Sequence, residues 1–210
     1  LRFRAEVVRH ADEVADLIIR ENGKTRNEAF GMEIFPVCDL VTYFAKRAPK
    51  ILAPKTIRLH LMLHRRSVVH YVPRGVVGII SPWNFPLAIP TGMVSAAIVA
   101  GNAVILKPAS QSPVIAAWLV DILSDAGIPD GVINYLPGPG EQVGEFLVKS
   151  PLIQFIAFTG SKEVGLKINN NNAQRRFYEH IDNALDDNIL VTAFFDTAEG
   201  GCATRGYATC

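Results

Sequence analysis

Three short polar stretches hold the side chains best suited to chemistry: Ser81-Pro82-Trp83-Asn84-Phe85-Pro86, Lys107-Pro108-Ala109-Ser110 and Phe158-Thr159-Gly160-Ser161. Each follows directly on an apolar run. Asn84 stands between two prolines, which fix φ and remove backbone donors. An amide held in that way can donate to an oxygen that gains negative charge during a reaction; the same residue type also caps turns. Lys107 ends a strand-like apolar run with a charge, which must meet water or a partner. Ser161 opens a helical stretch. It can offer its hydroxyl and N–H to a phosphate at the positive helix end, or simply cap that helix. Gly138-Pro139-Gly140, with Gly144 following, lacks the spacing of the usual dinucleotide fingerprint.

These residues need a frame that brings three distant loops together. Apolar runs bounded by breakers predict strands over Val76–Ser81, Ala103–Lys107, Val132–Leu136 and Gln154–Phe158. Between and after them, helical stretches are expected over Thr91–Ala100, Pro113–Ala126, Gly140–Val148 and Ser161–Ile168. Gly101 and Gly127 fall where C-terminal caps belong, and Pro113 sits at a helix start. The alternation of strand and helix over 75–168 gives an α/β class with an open, mostly parallel sheet. In such sheets ligands lie outside the carboxyl ends of the strands, where all three polar stretches fall. Before this domain, 1–55 reads as helical: one helix over 4–21 ending near Glu21-Asn22-Gly23, a second from Arg26 through the Phe30 region, and a third from Pro36 to Ala48. Residues 56–74 read as two strands joined by a charged turn at Arg65-Arg66. His60, His64 and His70 fall in this ribbon with no acid or cysteine near, so no metal is expected.

The 210 residues are 49% hydrophobic, enough for one sizeable core, and carry a net charge of +1. That balance implies no strong attraction to nucleic acid or to a membrane surface. Three cysteines without metal-like spacing suggest a reducing compartment, and a cytoplasmic location is expected. No apolar run is long enough to cross a bilayer.

Ser81-Pro82-Trp83-Asn84-Phe85-Pro86, Gly101-Asn102, Lys107-Pro108-Ala109 and Phe158-Thr159-Gly160-Ser161 occur in the order found in the aldehyde dehydrogenase superfamily, which the chain resembles over roughly 1–168. The resemblance implies an aldehyde dehydrogenase-like α/β fold: a Rossmann-type sheet, N-terminal helices and a β-ribbon that takes part in subunit association, so that the parent protein is expected to be a homo-oligomer. It implies NAD, with NADP possible, and a small-molecule aldehyde as substrate. It places the oxyanion donor at Asn84. Around the cofactor it places Ile80, Ser81, Pro82, Trp83, Lys107, Ser110, Gly140, Phe158, Thr159, Gly160, Ser161 and Val164. Lys107 matches the lysine that bonds the adenosine ribose. Ser110 lies where many members carry a glutamate that repels a 2′-phosphate, and serine cannot do so. The runs Gly144–Val148, Phe155–Ser161 and Val164–Ile168 are most similar to the branch that oxidises glutamate semialdehyde, formed from 1-pyrroline-5-carboxylate in proline breakdown. Other semialdehyde or aliphatic aldehyde dehydrogenases are the alternative enzymes, and a catalytically dead nucleotide-binding fragment is the alternative outside catalysis.

Residues 169–210 depart from this pattern. Asn169 to Asn172 are poor helix formers, a helix near Gln174–Leu185 and a strand-like run Ile189–Phe195 follow, and the end is rich in Gly and Thr. The tail reads as aberrant or incomplete. The reaction the family runs needs a cysteine nucleophile and a glutamate base. Glu199-Gly200-Gly201 and Gly206-Tyr207-Ala208-Thr209-Cys210 echo the family's two motifs, but 210 − 199 = 11 is too short a separation. Glu179, Cys202 and Cys210 therefore receive no role, and the 210 residues alone are expected to resemble an N-terminal fragment without turnover.

Overall fold

A computed structural model describes residues 1–61 and 67–169, with the backbone also of 170–171, 176–181 and 191–195. The chain opens with helices α1 (Arg2–Arg9) and α2 (Ala11–Asn22). The single helix expected over 4–21 is thus two, broken at His10, whose φ of −102° and ψ of 20° leave the helical region. α2 ends as expected: Gly23 adopts φ +78°, which glycine reaches without steric cost, and its N–H returns to the Ile19 carbonyl. Thr25 and Glu28 then form a reciprocal capping box for α3 (Arg26–Glu28). The chain continues without a break through a π-turn (Ala29–Ile34) into α4 (Phe35–Ile51). The second and third helices expected from sequence are one continuous rod: the π-turn runs directly into α4, and Pro36, the second residue of α4, does not end it.

Two short antiparallel strands, β1 (Lys55–Ile57) and β2 (Ser67–Val69), form a separate ribbon. The expected turn at Arg65-Arg66 and His64 lie outside the described residues. The main sheet then builds up through β3 (Val76–Ile80), α5 (Ala88–Val99), β4 (Ala103–Lys107), α6 (Pro113–Asp125) and β5 (Ile133–Tyr135). A second π-turn (Gly140–Gly144), α7 (Glu145–Lys149), β6 (Phe155–Gly160) and α8 (Lys162–Asn171) follow. Strand order is β5-β4-β3-β6, continued by β7 (Arg176–Ile181) and β8 (Val191–Phe195). Every pairing is parallel except β7 with β8.

Three differences from the sequence expectation stand out. α5 begins at Ala88 rather than Thr91, with Pro90 in its first turn. α8 runs through Asn169, Asn170 and Asn171. β7 replaces the helix expected near Gln174–Leu185: its backbone pairs with β6 from Phe155↔Arg176 to Gly160↔Ile181. Non-local pairing overrides local propensity there.

Alternation along the strands feeds two cores. Val77 and Ile79 of β3, Val104 and Leu106 of β4 and Ala157 of β6 face one side. There they meet α5, α6 and the N-terminal helices through Val94, Ile115, Leu119, Val7, Val14 and Ile18. Ile156 and Phe158 of β6 face the other side, with Leu147 and Val148 of α7 and Ile168 of α8. Gly78 lets that second layer sit close to the central strand, since a Cβ there would come 2.9 Å from Ile156 and 3.3 Å from Leu147.

The caps of α5 and α6 are Schellman motifs. Gly101 (φ +84°) donates to Ile98 O and Asn102 to Ala97 O; Gly127 (φ +93°) donates to Ser124 O and Ile128 to Leu123 O. Asn102, nearly buried, also accepts from the N–H groups of Arg74 and Gly75, at 2.6 and 3.1 Å. The end of α5 is thereby tied to the start of β3, which sets the register of the first βαβ unit.

Candidate active site

The sheet winds outward in both directions from β3: to β4 and β5 on one side, and to β6 and β7 on the other. The adjacent carboxyl ends of β3 and β6 are therefore a topological switch point, where the two connections part and leave a crevice. A cleft of about 1450 Å³ opens there. It is lined by Asn84 and by all twelve residues expected around a cofactor: Ile80, Ser81, Pro82 and Trp83 after β3; Lys107 and Ser110 after β4; Gly140 of the π-turn; and Phe158, Thr159, Gly160, Ser161 and Val164 at the β6–α8 junction. Ala109, Gln111, Glu141, Glu145, Lys162, Glu163 and Lys167 also face it. The last four come from short polar stretches whose helical setting the sequence shows but whose facing it does not.

The polar groups differ in how they are held. Lys107 is 3% exposed, and its Nζ donates to the Pro108 carbonyl at 2.8 Å. Among the described residues no carboxylate pairs with it, and burial pushes its ammonium pKa below the ordinary value. The Lys107 stem passes beside Gly144, where a Cβ would lie in ordinary contact with it at 3.5 Å. Asn84 accepts through Oδ1 from the Phe85 N–H at 3.1 Å, so the turn bond considered from sequence is made, and it uses the carbonyl end of the amide. Ser161 precedes α8, and its Oγ accepts from the Val164 N–H at 3.4 Å. Thr159 is buried beside Met93, and Trp83 is half exposed at the cleft wall.

Sequence reasoning missed the residues that hold these loops. Glu33, Lys24, Asn22 and Glu21 belong to the N-terminal helical part, where no site residue was expected. Glu33 is fully buried, pairs with Lys24, and accepts from the Leu87 and Ala88 N–H groups at 3.2 and 2.7 Å, closing the start of α5. Glu21 does the same for α6, accepting from Val114 and Ile115 at 2.7 and 2.9 Å. Tyr135 donates to Pro113 O at 2.8 Å beside it. Burial first, and the Glu21 charge second, raise the phenol pKa. The available signal was Glu33 itself, a lone acid in the run Gly31-Met32-Glu33-Ile34-Phe35.

Two kinds of group are not assembled in the cleft. Among the described residues no cysteine lines it, and Cys38 sits on α4 with a thiol pKa raised by burial. Glu179 lies on β7, described by its backbone alone, while Glu199, Cys202 and Cys210 lie outside the described residues. Among the described residues there is no cluster of three or more His, Cys, Asp or Glu side chains able to hold a metal ion, and no helix long and apolar enough to cross a membrane.

Residues 1–181 match the aldehyde dehydrogenase family, a stretch that runs past residue 168 and takes in β7. The 1-pyrroline-5-carboxylate dehydrogenase of Bacillus mycoides (strain KBAB4) is 42% identical over 168 residues, which are 79% of this chain and 32% of that protein. The chain therefore spans about a third of the length of the curated relatives it matches. Among solved structures, proline utilization A from Bdellovibrio bacteriovorus superposes with a TM-score of 0.79 at 41% identity, covering 86% of this chain and 19% of that one. A NAD-dependent aldehyde dehydrogenase from Sinorhizobium meliloti superposes with a TM-score of 0.80 at 35% identity, covering 86% and 36%. Sequence, fold and the arrangement of the cleft agree: the chain belongs to the aldehyde dehydrogenase family.

Proposed function

We propose that the cleft binds NAD or NADP and serves the oxidation of an aldehyde to its carboxylic acid, with glutamate semialdehyde as the substrate of the whole protein. The observation that carries the reading is the convergence of a buried lysine, a helix N-terminus and a proline-bounded asparagine at one switch point. Among the described residues Lys107 has carbon and carbonyl neighbours and no carboxylate paired with it, so a hydroxyl-rich ligand would gain a charge-assisted hydrogen bond there. α5 and α6 have their N-terminal amides filled by Glu33 and Glu21. The start of α8, with Ser161, is a positive helix end that lines the cleft, and it suits a pyrophosphate. Val164 offers an apolar wall on the nicotinamide side. The residues present therefore fit a dinucleotide.

When bound, the nicotinamide supplies the acceptor for hydride. The chain's own part is to hold and polarise. Lys107 donates to a ribose hydroxyl, Ser161 and the α8 amides hold phosphate, and the Asn84 amide donates to the oxygen that becomes negative as a nucleophile attacks the aldehyde carbon. Similarity to 1-pyrroline-5-carboxylate dehydrogenases supports the choice of glutamate semialdehyde. The exposed β1–β2 ribbon, with Tyr71 and Val72 exposed after it, supports a role in association of copies, and the few dispersed cysteines support a cytoplasmic site.

Ser110 brings a hydroxyl and no negative charge to the cleft, which leaves a 2′-phosphate unopposed. Calorimetric titration of the chain should therefore show both NAD and NADP binding. Ser110→Glu should weaken NADP about tenfold or more relative to NAD by like-charge repulsion. Unaltered NADP binding in that variant would remove Ser110 from the ribose end.

A further inference from the structure

We infer that Asn22, Lys24 and Glu33 form a latch that positions the Trp83-Asn84-Phe85 loop, and that they are positioning residues for the oxyanion donor; only the second half of this rests on the functional reading above. The side-chain amide of Asn22 donates to the Trp83 carbonyl at 2.7 Å. The Lys24 ammonium lies 4.2 Å from the centre of the Phe85 ring. Two residues separated by Gly23 thus grip the two neighbours of Asn84. Gly23 makes this possible: its φ of +78° ends α2 and turns the chain so that positions 22 and 24 reach the same loop. Lys24 is in turn fixed by Glu33, whose second carboxylate oxygen holds the first amides of α5 just beyond the loop. The grip therefore covers 83, 85, 87 and 88, with Asn84 between its points.

Packing alone does not account for this arrangement. A fully buried carboxylate is costly to desolvate, and apolar residues of like volume commonly replace such pairs at no loss of stability. What an apolar pair cannot do is satisfy two backbone amides while presenting a cation to an aromatic face. Glu33 sits in the π-turn Ala29–Ile34, whose wider turn breaks the 3.6-residue register and brings a charged side chain into the interior.

The test uses the 210-residue chain without nucleotide, so that its outcome is separate from whether the cleft binds NAD. Amide exchange is followed by NMR in Asn22→Ala and Lys24→Met, with iodide quenching of Trp83 in a Trp118→Phe background. Loss of either grip should speed exchange at Trp83, Asn84 and Phe85 about tenfold and raise Trp83 quenching. The β4 amides of 103–107 should keep their protection, and Lys24→Arg should restore the loop. If Lys24→Met does not fold, Asn22→Ala decides by the same readout, since it removes one half-buried amide. Unchanged exchange at 83–85, or a rise only in step with 103–107, overturns the latch. Titration of the same proteins with NAD then tests the binding reading on its own.

Discussion

At the scale of single residues, Lys107 is the clearest case of a group whose placement works against stability. Its burial without a carboxylate lowers its pKa, which means the fold disfavours the charged form. Lys107→Met should raise the melting temperature and weaken NAD binding about tenfold, a divergence expected of a binding group and not of a packing one. The sign with pH follows from linkage. With the folded pKa below the unfolded value near 10.5, the unfolded chain binds more protons between the two, so wild-type stability gains there as pH rises. The advantage of Lys107→Met should therefore shrink as pH climbs toward 10.5, measured by thermal melts at a series of pH values. Asn84, in the role proposed for it, should behave differently, with its donor acting only on charge that develops during reaction. In a turnover-competent protein carrying this sequence, Asn84→Ala should lower kcat about 10²- to 10³-fold and leave NAD affinity within about twofold, read from steady-state kinetics and titration. Equal losses in both would make Asn84 a cofactor contact instead.

At the scale of elements, the strands and caps were legible because their determinants are local. The breakers after Ile80 and Lys107, and the glycines after α5 and α6, mark ends whose observed geometry matches. The π-turns and the break at His10 were not legible, since a single wide turn or one non-helical residue shifts register within too few residues for a periodic pattern to register it. β7 was missed because its strand conformation depends on β6 as a partner, which a local helical pattern cannot reveal. The three polar loops stood out because they end apolar strands, while the full set of thirteen site residues, Gly140 and Val164 among them, came from the resemblance to the aldehyde dehydrogenase superfamily. Their supports at 21, 22, 24 and 33 could not, because those side chains act across 54 to 94 positions of sequence. The close packing of the second layer on β3 is testable by Gly78→Ala. The added methyl meets Ile156 at 2.9 Å and should cost about 1–3 kcal/mol in chemical denaturation. A neutral result would mean that Ile156 and Leu147 give way freely.

At the scale of the whole molecule, an open α/β sheet directs its polar loops to a single edge, and the dinucleotide site proposed above is the cleft there, across the ends of β3, β4 and β6. The N-terminal helices contribute to that edge from behind, through carboxylates at the starts of α5 and α6, so helical layer and sheet form one device. The opposite edge carries the Gly101 and Gly131 turns and serves as an internal control. The most direct measurement is amide hydrogen exchange of the chain with and without saturating NAD. The account predicts slowed exchange at 81–84, 109–111 and 158–164, with 99–103 and 129–132 unchanged. Binding that protects the Gly101 and Gly131 turns, or that leaves the Ser81 and Ser161 loops unprotected, would contradict it.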